Sequence, residues 1–575
     1  MKKRNKSLAA LMIVATLILF IQPFTITAEE APSISPSSMS YPLTDTIQAE
    51  VKSILNERIA SGTRIAAVVR LYNQGSRAVR VPEYEVGIKA EGDIVYTLHP
   101  SADNPKTIEP KEKVEFSYMI QIDRKDIFSL SEIFWTEIDE FEYPRKEKTV
   151  LTLPISSLEW QGDASVFSNL DSTKPWGESI SIPVLSPSLE FTTVDLFRQN
   201  TPQGPATVVV LLAENKGSMK ESIPDFRIDG KTDQKVYPGK RIEQETITLE
   251  PGGKQYIHYA IQTGNNVQLN RLILLTPESF VTANQTRIDY TVGRLNIRLP
   301  AEINDSHFLE QSAPYEQSKA IQFDPLNQIV SPAIDVSMVE LHMHEGEGEG
   351  YKTVIAKFKL HSRSDIPIPV PNFQTALVST DGFTYLGTRQ STVAQTLVPN
   401  LSYVISYSFN MPNSEKGEKL AMKIMDGQSA DPFQIPIAEF QTRVQNDRDE
   451  SNLKFYPFQV KLNNWSVTTQ AIFSGDLSYS YKLRLDLEIQ RQDNVVVDQN
   501  FSKMKLELVD VLGRTLGSET VSFTGAKRLA TGWQTIEFNN VRAEQIDNQF
   551  SINMYESIDT PFGEAKRLVK TLRVK

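Results

Sequence analysis

The chain has no cysteine in 575 residues. That excludes a disulfide framework and lipid attachment through a thiol, and it leaves each domain to be held by core burial alone. Secreted eukaryotic chains of this size usually carry disulfides, so the absence favours a bacterial exported protein. Histidine is scarce, with six residues: His99, His258, His307, His342, His344 and His361. None falls in a nucleophile elbow, a zinc-binding helix motif or a triad-like order. No glycine-rich phosphate loop and no Asp-x-Asp-x-Asp-Gly loop occurs. No catalytic, cofactor-binding or metal residue is therefore expected. A basic excess is missing as well: the formal net charge is −11, which gives no footing for nucleic acid.

What is present begins with "MKKRNKSLAALMIVATLILFIQPFTITAEEAPS". Lys2, Lys3, Arg4 and Lys6 precede an apolar run from Leu8 to Ile21, which is 14 residues. That length suits a signal-peptide core and falls short of the roughly 20 residues needed to span a bilayer. Small residues in "TITA" allow cleavage after Ala28, so residues 1–28 read as a signal peptide and the mature chain has no membrane span. Cleavage removes four basic and no acidic residues, which moves the formal charge from −11 to −15. Mild acidity outside the cell means solubility. The expected location is extracellular, either free or associated with the cell wall.

The length exceeds what one core can hold, and the chain repeats itself. The first repeat has "AAVVRLYNQG", "VPEY" and "IEPKEKVEFSYMI". The second has "TVVVLLAENKG", "IPDF" and "LEPGGKQYIHYAI". The third has "TVIAKFKLHSRSD", "VPNF" and "LVPNLSYVISYSF". Asn73 precedes Pro82 by nine residues, Asn215 precedes Pro224 by nine, and His361 precedes Pro371 by ten. Pro82 to Pro110 is 28 residues, Pro224 to Pro251 is 27, and Pro371 to Pro399 is 28. Pro110, Pro251 and Pro399 are each followed eight residues later by a tyrosine, namely Tyr118, Tyr259 and Tyr407. A fourth segment has the right length and texture, with "YSYKLRLDLEIQ" as a second strand and "KMKLELVDVLGRTLG" as a strand pair. It lacks the proline and tyrosine spacings.

Each repeat reads as β throughout. "FSYMI", "IHYAI" and "ISYSF" alternate with period two, and proline and glycine punctuate about every ten residues. Tyr118, Tyr259 and Tyr407 share parity with apolar neighbours and should face the core. "DTIQAEVKSILNER", residues 45–58, has apolar spacing that suits a helix. The repeat frame instead makes it the first strand, because Val51, Val194 and Val339 lie 22, 21 and 22 residues before Asn73, Asn215 and His361. Strand is the preferred reading. The expected domains span 40–158, 159–305, 306–446 and 447–575.

"ELHMHEGEGEGYK", residues 340–352, places His342 and His344 beside alternating Glu345, Glu347 and Glu349. Two readings stand, a weak metal site and a hairpin loop. The corresponding stretches "LNERIASGTRI" and "FRQNTPQGPAT" carry no ligand set, which favours the loop. His361 should end a strand and close a turn. His258 should alternate outward to solvent. Glu137, Asp139 and Glu140 would make an acid–base pair in principle, against the plainer reading of a solvated strand edge. Of the tryptophans Trp135, Trp160, Trp176, Trp465 and Trp533, the pair Trp160 and Trp176 is a candidate for sugar stacking. The competing reading is packing at the boundary between the first two repeats.

"LEPGGKQY" and "LVPNLSY" resemble the Leu-x-Pro…Tyr corner of immunoglobulin-like sandwiches, whereas "IEPKEKV" departs from it at Val114. The chain resembles the Ig-like repeat modules of Gram-positive secreted and surface proteins. The resemblance implies a corner tyrosine whose hydroxyl ties back to backbone, and a role in surface adhesion. The expectation is an all-β chain of four tandem Ig-like antiparallel β-sandwich domains after a signal peptide. It would form a rod with a non-catalytic structural or adhesive role, without cofactors. Its partners would be cell-wall polymer, extracellular glycan or a surface protein. A polysaccharide-binding accessory protein is the first alternative, and an enzyme with a cryptic site the second.

Overall fold

The computed structural model describes residues 40–139, 146–162, 173–182, 185–264, 267–299, 314–345, 350–445, 451–474, 476–492, 494–541 and 549–574. The signal-peptide reading of residues 1–28 lies outside the described residues, as do Glu140, His307, Glu347 and Glu349. Among the described residues there are strands and one 3-10 turn, Glu91–Asp93, but no α-helix. The all-β expectation holds, and the segment at 45–58 is the strand Ile47–Ile59.

The apolar residues gather into four separate large cores. They lie within residues 43–155, 180–299, 321–440 and 453–572. Period-two alternation produces them by sending every second side chain to one face. In the second segment two five-stranded sheets share one core. Phe191, Val209, Leu211 and Ile257 enter from one sheet, and Ile228, Leu272, Leu274 and Ile297 from the other. The third and fourth segments each pair two sheets in the same way. In the first, Val95–Pro100 pairs with both Glu85–Ala90 and Lys113–Ile122, so one nine-stranded sheet folds over its own core. The backbone divides into two compact units, residues 1–168 with 278–292, and residues 169–277 with 293–575.

A register irregularity recurs in all four first hairpins. Strand pairing begins at Ile47–Asn73, Leu189–Asn215, Ile334–Ser362 and Phe458–Arg491. In each case the residue five positions on is left out of the ladder: Lys52, Val194, Val339 and Asn463. Such a bulge bends the strand and re-aims the side chains beside it. The fourth segment lacks the proline and tyrosine motifs but keeps this bulge at the same place.

The same registers correct the alignment of His361. Asn73 and Asn215 face Ile47 and Leu189, and the residue facing Ile334 is Ser362. With Ser362 in that role the distance to Pro371 is nine residues, as in the other two repeats. Asn73 Nδ2 donates to the carbonyls of Arg77, Ile108 and Glu109, and its Oδ1 accepts from Gly75 N–H. Asn215 does the same with Met219, Leu249 and Gly217. Among the described residues Ser362 Oγ accepts only from the corresponding Ser364 N–H, at 3.3 Å. His361 is one place earlier in the strand, and its Nδ1 meets Ser402 Oγ at 3.2 Å.

Candidate functional site

The recurrent tyrosines belong to the cores. Tyr259 and Tyr407 are fully buried, Tyr118 nearly so. Tyr259 donates its hydroxyl to the carbonyl of Phe226 at 3.0 Å, and Tyr407 to that of Phe373 at 2.6 Å. Phe226 and Phe373 are the aromatics of "IPDF" and "VPNF", so one hydrogen bond joins the two repeated motifs. Burial pushes the phenol of Tyr118 up to about 12 and those of Tyr259 and Tyr407 higher still. Each stays protonated at ordinary pH.

The corner tyrosines behave differently from the Ig-derived expectation. Tyr256 donates to Asp324 Oδ2 at 2.9 Å, and Tyr403 to Asp498 Oδ2 at 3.0 Å. Each acceptor lies in the following segment, so these hydroxyls bridge neighbours instead of tying back to backbone. Tyr403 also accepts from Ala394 N–H at 3.2 Å. Counted back from the core tyrosines, Val114 takes the place of Tyr403 in the first repeat and Glu115 that of Tyr256, so neither position offers a hydroxyl there. Tyr403→Phe should cost the second unit about 1–3 kcal/mol, because the lost bond is to a carboxylate. Chemical denaturation checks it.

The junction of the third and fourth segments buries four charges. Lys357 and Glu340 face each other across the hairpin, on the face opposite the core residues Ala356 and Phe358. Lys357 Nζ lies 3.1 Å from Glu340 and contacts Glu556 more closely. Arg567 Nε donates to Glu556 Oε2 at 2.6 Å. Lys357 Nζ also donates to the carbonyl of Tyr456 at 3.2 Å, and Ser502 Oγ to Glu556 Oε1 at 2.6 Å. The side chains of Lys357 and Glu556 are 0% exposed. Burial alone would push the Glu556 carboxyl up, but Lys357 and Arg567 override it and hold the group near 2.

A folded pKa below the usual value means stability that is present above about pH 4.5 and lost as pH falls toward about 2. Denaturation of the second unit at stepped pH should therefore show a fall in that window. Glu556→Gln should flatten Glu556's share of it while lowering stability at pH 7.

His258 is a further correction. It lies on the outward parity of Lys254–Gln262, as the alternation implies, yet it is only 6% exposed. The third segment covers that sheet face: Ala206 and Val208 pack with Ala430 and Phe433. His258 Nδ1 lies 2.6 Å from Glu243 Oε1, and the same carboxylate accepts from the His258 backbone N–H. Beside this contact lies a cavity of about 660 Å³. Its wall includes Val194 and Asp195, at the bulge of the second segment, and Asp324, Asp426 and Ile437 of the third.

The other candidates are placed plainly. His342 is buried on the Ile334–Glu345 strand, and the ring of His344 meets Tyr555 edge-on at 5.9 Å. Among the described residues no group of three or more acidic, histidine or cysteine side chains is set to hold a metal. Glu137 and Asp139 are exposed on the Leu130–Asp139 strand, and Lys148 lies 3.8 Å from Glu137. Trp160 is 2% exposed and so presents no face for a sugar. Trp176 packs partly against the core of the second segment. Trp533 is half exposed, with the Arg484 guanidinium 4.9 Å from its ring centre. Among the described residues no helix is long and apolar enough to cross a membrane.

No family model matches the chain, and no curated protein matches it. Among solved structures it is similar to one titled "Crystal structure of dimeric latent PorU from Porphyromonas gingivalis". Identity is 10% and the TM-score 0.13, over 64% of this chain and 31% of that one. The chain thus spans about a third of that protein's length, and a likeness this low carries no argument.

Proposed function

We propose that the chain is an exported, non-catalytic structural or adhesive protein of a bacterial surface. It is built as four tandem Ig-like β-sandwich domains at 40–158, 159–305, 306–446 and 447–575, similar to the modules of Gram-positive surface proteins. Its partners are cell-wall polymer, extracellular glycan or another surface protein. The observation that carries the reading is the bulge five residues into every first hairpin. In three segments it directs side chains to a boundary with the next. Lys52 pairs with Glu278, on the hairpin tip that belongs to the first unit, at 3.1 Å. Val194 and Asp195 line the cavity shared with the third segment. Glu340, beside Val339, enters the buried charge cluster with the fourth. Lys52, Glu278 and Glu340 are buried polar side chains that join neighbouring segments, which suits a chain whose task is to hold its modules in order.

The test has two arms. Mass spectrometry of culture supernatant and of peptides shaved from intact cells should find a mature N-terminus at or near Glu29. Residues 29–575 should co-sediment with purified cell wall or with culture glycans. A full-length chain confined to the cytosol overturns the reading, and so does a purified chain that turns over a wall or glycan substrate.

A further inference from the structure

The cavity beside His258 has the size of a small-molecule site, since such pockets run roughly 300–1,000 Å³. Its chemistry is one-sided. Asp195, Glu243, Glu245, Asp324 and Asp426 contribute carboxylates, and no lysine or arginine lines it among the described residues. Val210, Ile247 and Ile437 supply apolar wall. A cluster of acids alone would say little. The second observation is His258, whose Nε2 is buried in this wall without a hydrogen-bond partner.

The hydrogen bonds around the imidazole fix what Nε2 can do. His258 and its backbone N–H hold the Glu243 carboxyl below the usual carboxylate range despite its burial. An ionised carboxylate only accepts, so Nδ1 is the donor in the 2.6 Å contact. In the neutral ring Nε2 is then an acceptor with nothing to accept. A buried polar atom in that state is destabilising, and a ligand bringing an N–H would relieve it. Other polar groups of the wall are committed in the same sense. The Tyr256 hydroxyl donates a hydrogen bond to Asp324, and Asp426 Oδ1 accepts from the backbone N–H groups of Gln428 and Ser429. The wall is therefore rich in negative charge, while its amide side chains, such as Gln244, Gln255 and Asn327, can both donate and accept. Arg241 Nε lies 3.5 Å from Glu243 Oε2 and offsets that carboxylate. Among the described residues Glu245, Asp324 and Asp426 have no such ion pair and are not gathered as a metal-ligand set, so the remaining negative excess fits an extended cation better than a bare ion.

We propose that this cavity binds a small organic cation, an ammonium group on a partly apolar or sugar-sized body, with His258 Nε2 accepting one of its N–H donors. The carboxylates supply the charge complement, and the apolar wall takes the body. The site does not depend on where the chain resides.

The experiment is calorimetric titration of residues 29–575 at low salt with two amines and their uncharged counterparts. The probes are 2-phenylethylamine against 2-phenylethanol, and glucosamine against N-acetylglucosamine. At least one amine should bind tenfold or more tighter than its counterpart, and added salt should weaken it. Asp195 and Glu245 are exposed at the rim, so the double variant Asp195→Asn, Glu245→Gln should fold normally and weaken the amine at least tenfold. His258→Phe should do the same, with melting followed in parallel. Amines that bind no better than their counterparts overturn the proposal. So does an unchanged affinity in the double variant, or a micromolar site for zinc or calcium with no preference for amines.

Discussion

Replacing Lys357 with methionine is expected to destabilise the second unit by about 3–5 kcal/mol. The wild-type cluster is balanced, with Lys357 and Arg567 against Glu340 and Glu556. Removing one cation leaves a net negative charge where the Glu556 side chain is 0% exposed. That penalty belongs to the stranded carboxylate, and it exceeds what the intact cluster contributes over an apolar equivalent. The corollary separates this account from a simple loss of contact. Changing Glu340, Lys357, Glu556 and Arg567 together to apolar residues of similar volume should cost far less than Lys357→Met alone, or should stabilise. Calorimetry of the whole chain reads both, as a shift in the melting transition of the second unit. If Lys357→Met melts like wild type, the cluster is solvated in solution and does not join the two segments.

What was legible in the sequence is what each sandwich needs for itself. Tyr259 and Tyr407 keep their spacing because each must reach the carbonyl of the aromatic in its own repeat. Alternation in "YIHYAIQ" gave the parity of His258 correctly but not its burial. The face it points to is covered by Ala430 and Phe433, which lie far away in sequence. The same reason hid the charge cluster: Glu340 and Lys357 pair within one hairpin, and the Glu556 and Arg567 that close over them lie far on in the chain. The bulges were hidden too, because a single residue left out of a ladder has no composition of its own. Lys52, Val194, Val339 and Asn463 share no residue type across the four segments, only their position. The spacing puts His361 one place out of register because the third repeat uses Ser362 where the others use asparagine.

Truncating the core tyrosines should have an effect of similar size, and the three repeats supply their own control. Tyr259 is fully buried, with its ring 5.4 Å from Phe226, which in turn sits edge-on 5.0 Å from Phe191. Tyr407 is placed alike, 5.7 Å from both Phe373 and Phe358. Replacing a buried aromatic with alanine forfeits its transfer energy and leaves a cavity, at about 3–5 kcal/mol. Tyr259→Ala and Tyr407→Ala should therefore each lower the melting temperature of the second unit markedly. Phenylalanine keeps the ring and removes only the hydroxyl. The carbonyl of Phe226 or Phe373 then loses its donor, at about 1 kcal/mol. Tyr118 makes no hydrogen bond through its hydroxyl among the described residues, so Tyr118→Phe should be close to neutral. The comparison of three Tyr→Phe variants in otherwise wild-type chains separates the bond from the ring. Equal costs at positions 118, 259 and 407 would mean that the motif-joining hydrogen bond contributes nothing. A Tyr259→Ala chain that melts like wild type would place the residue outside the core and remove the physical reason for its spacing.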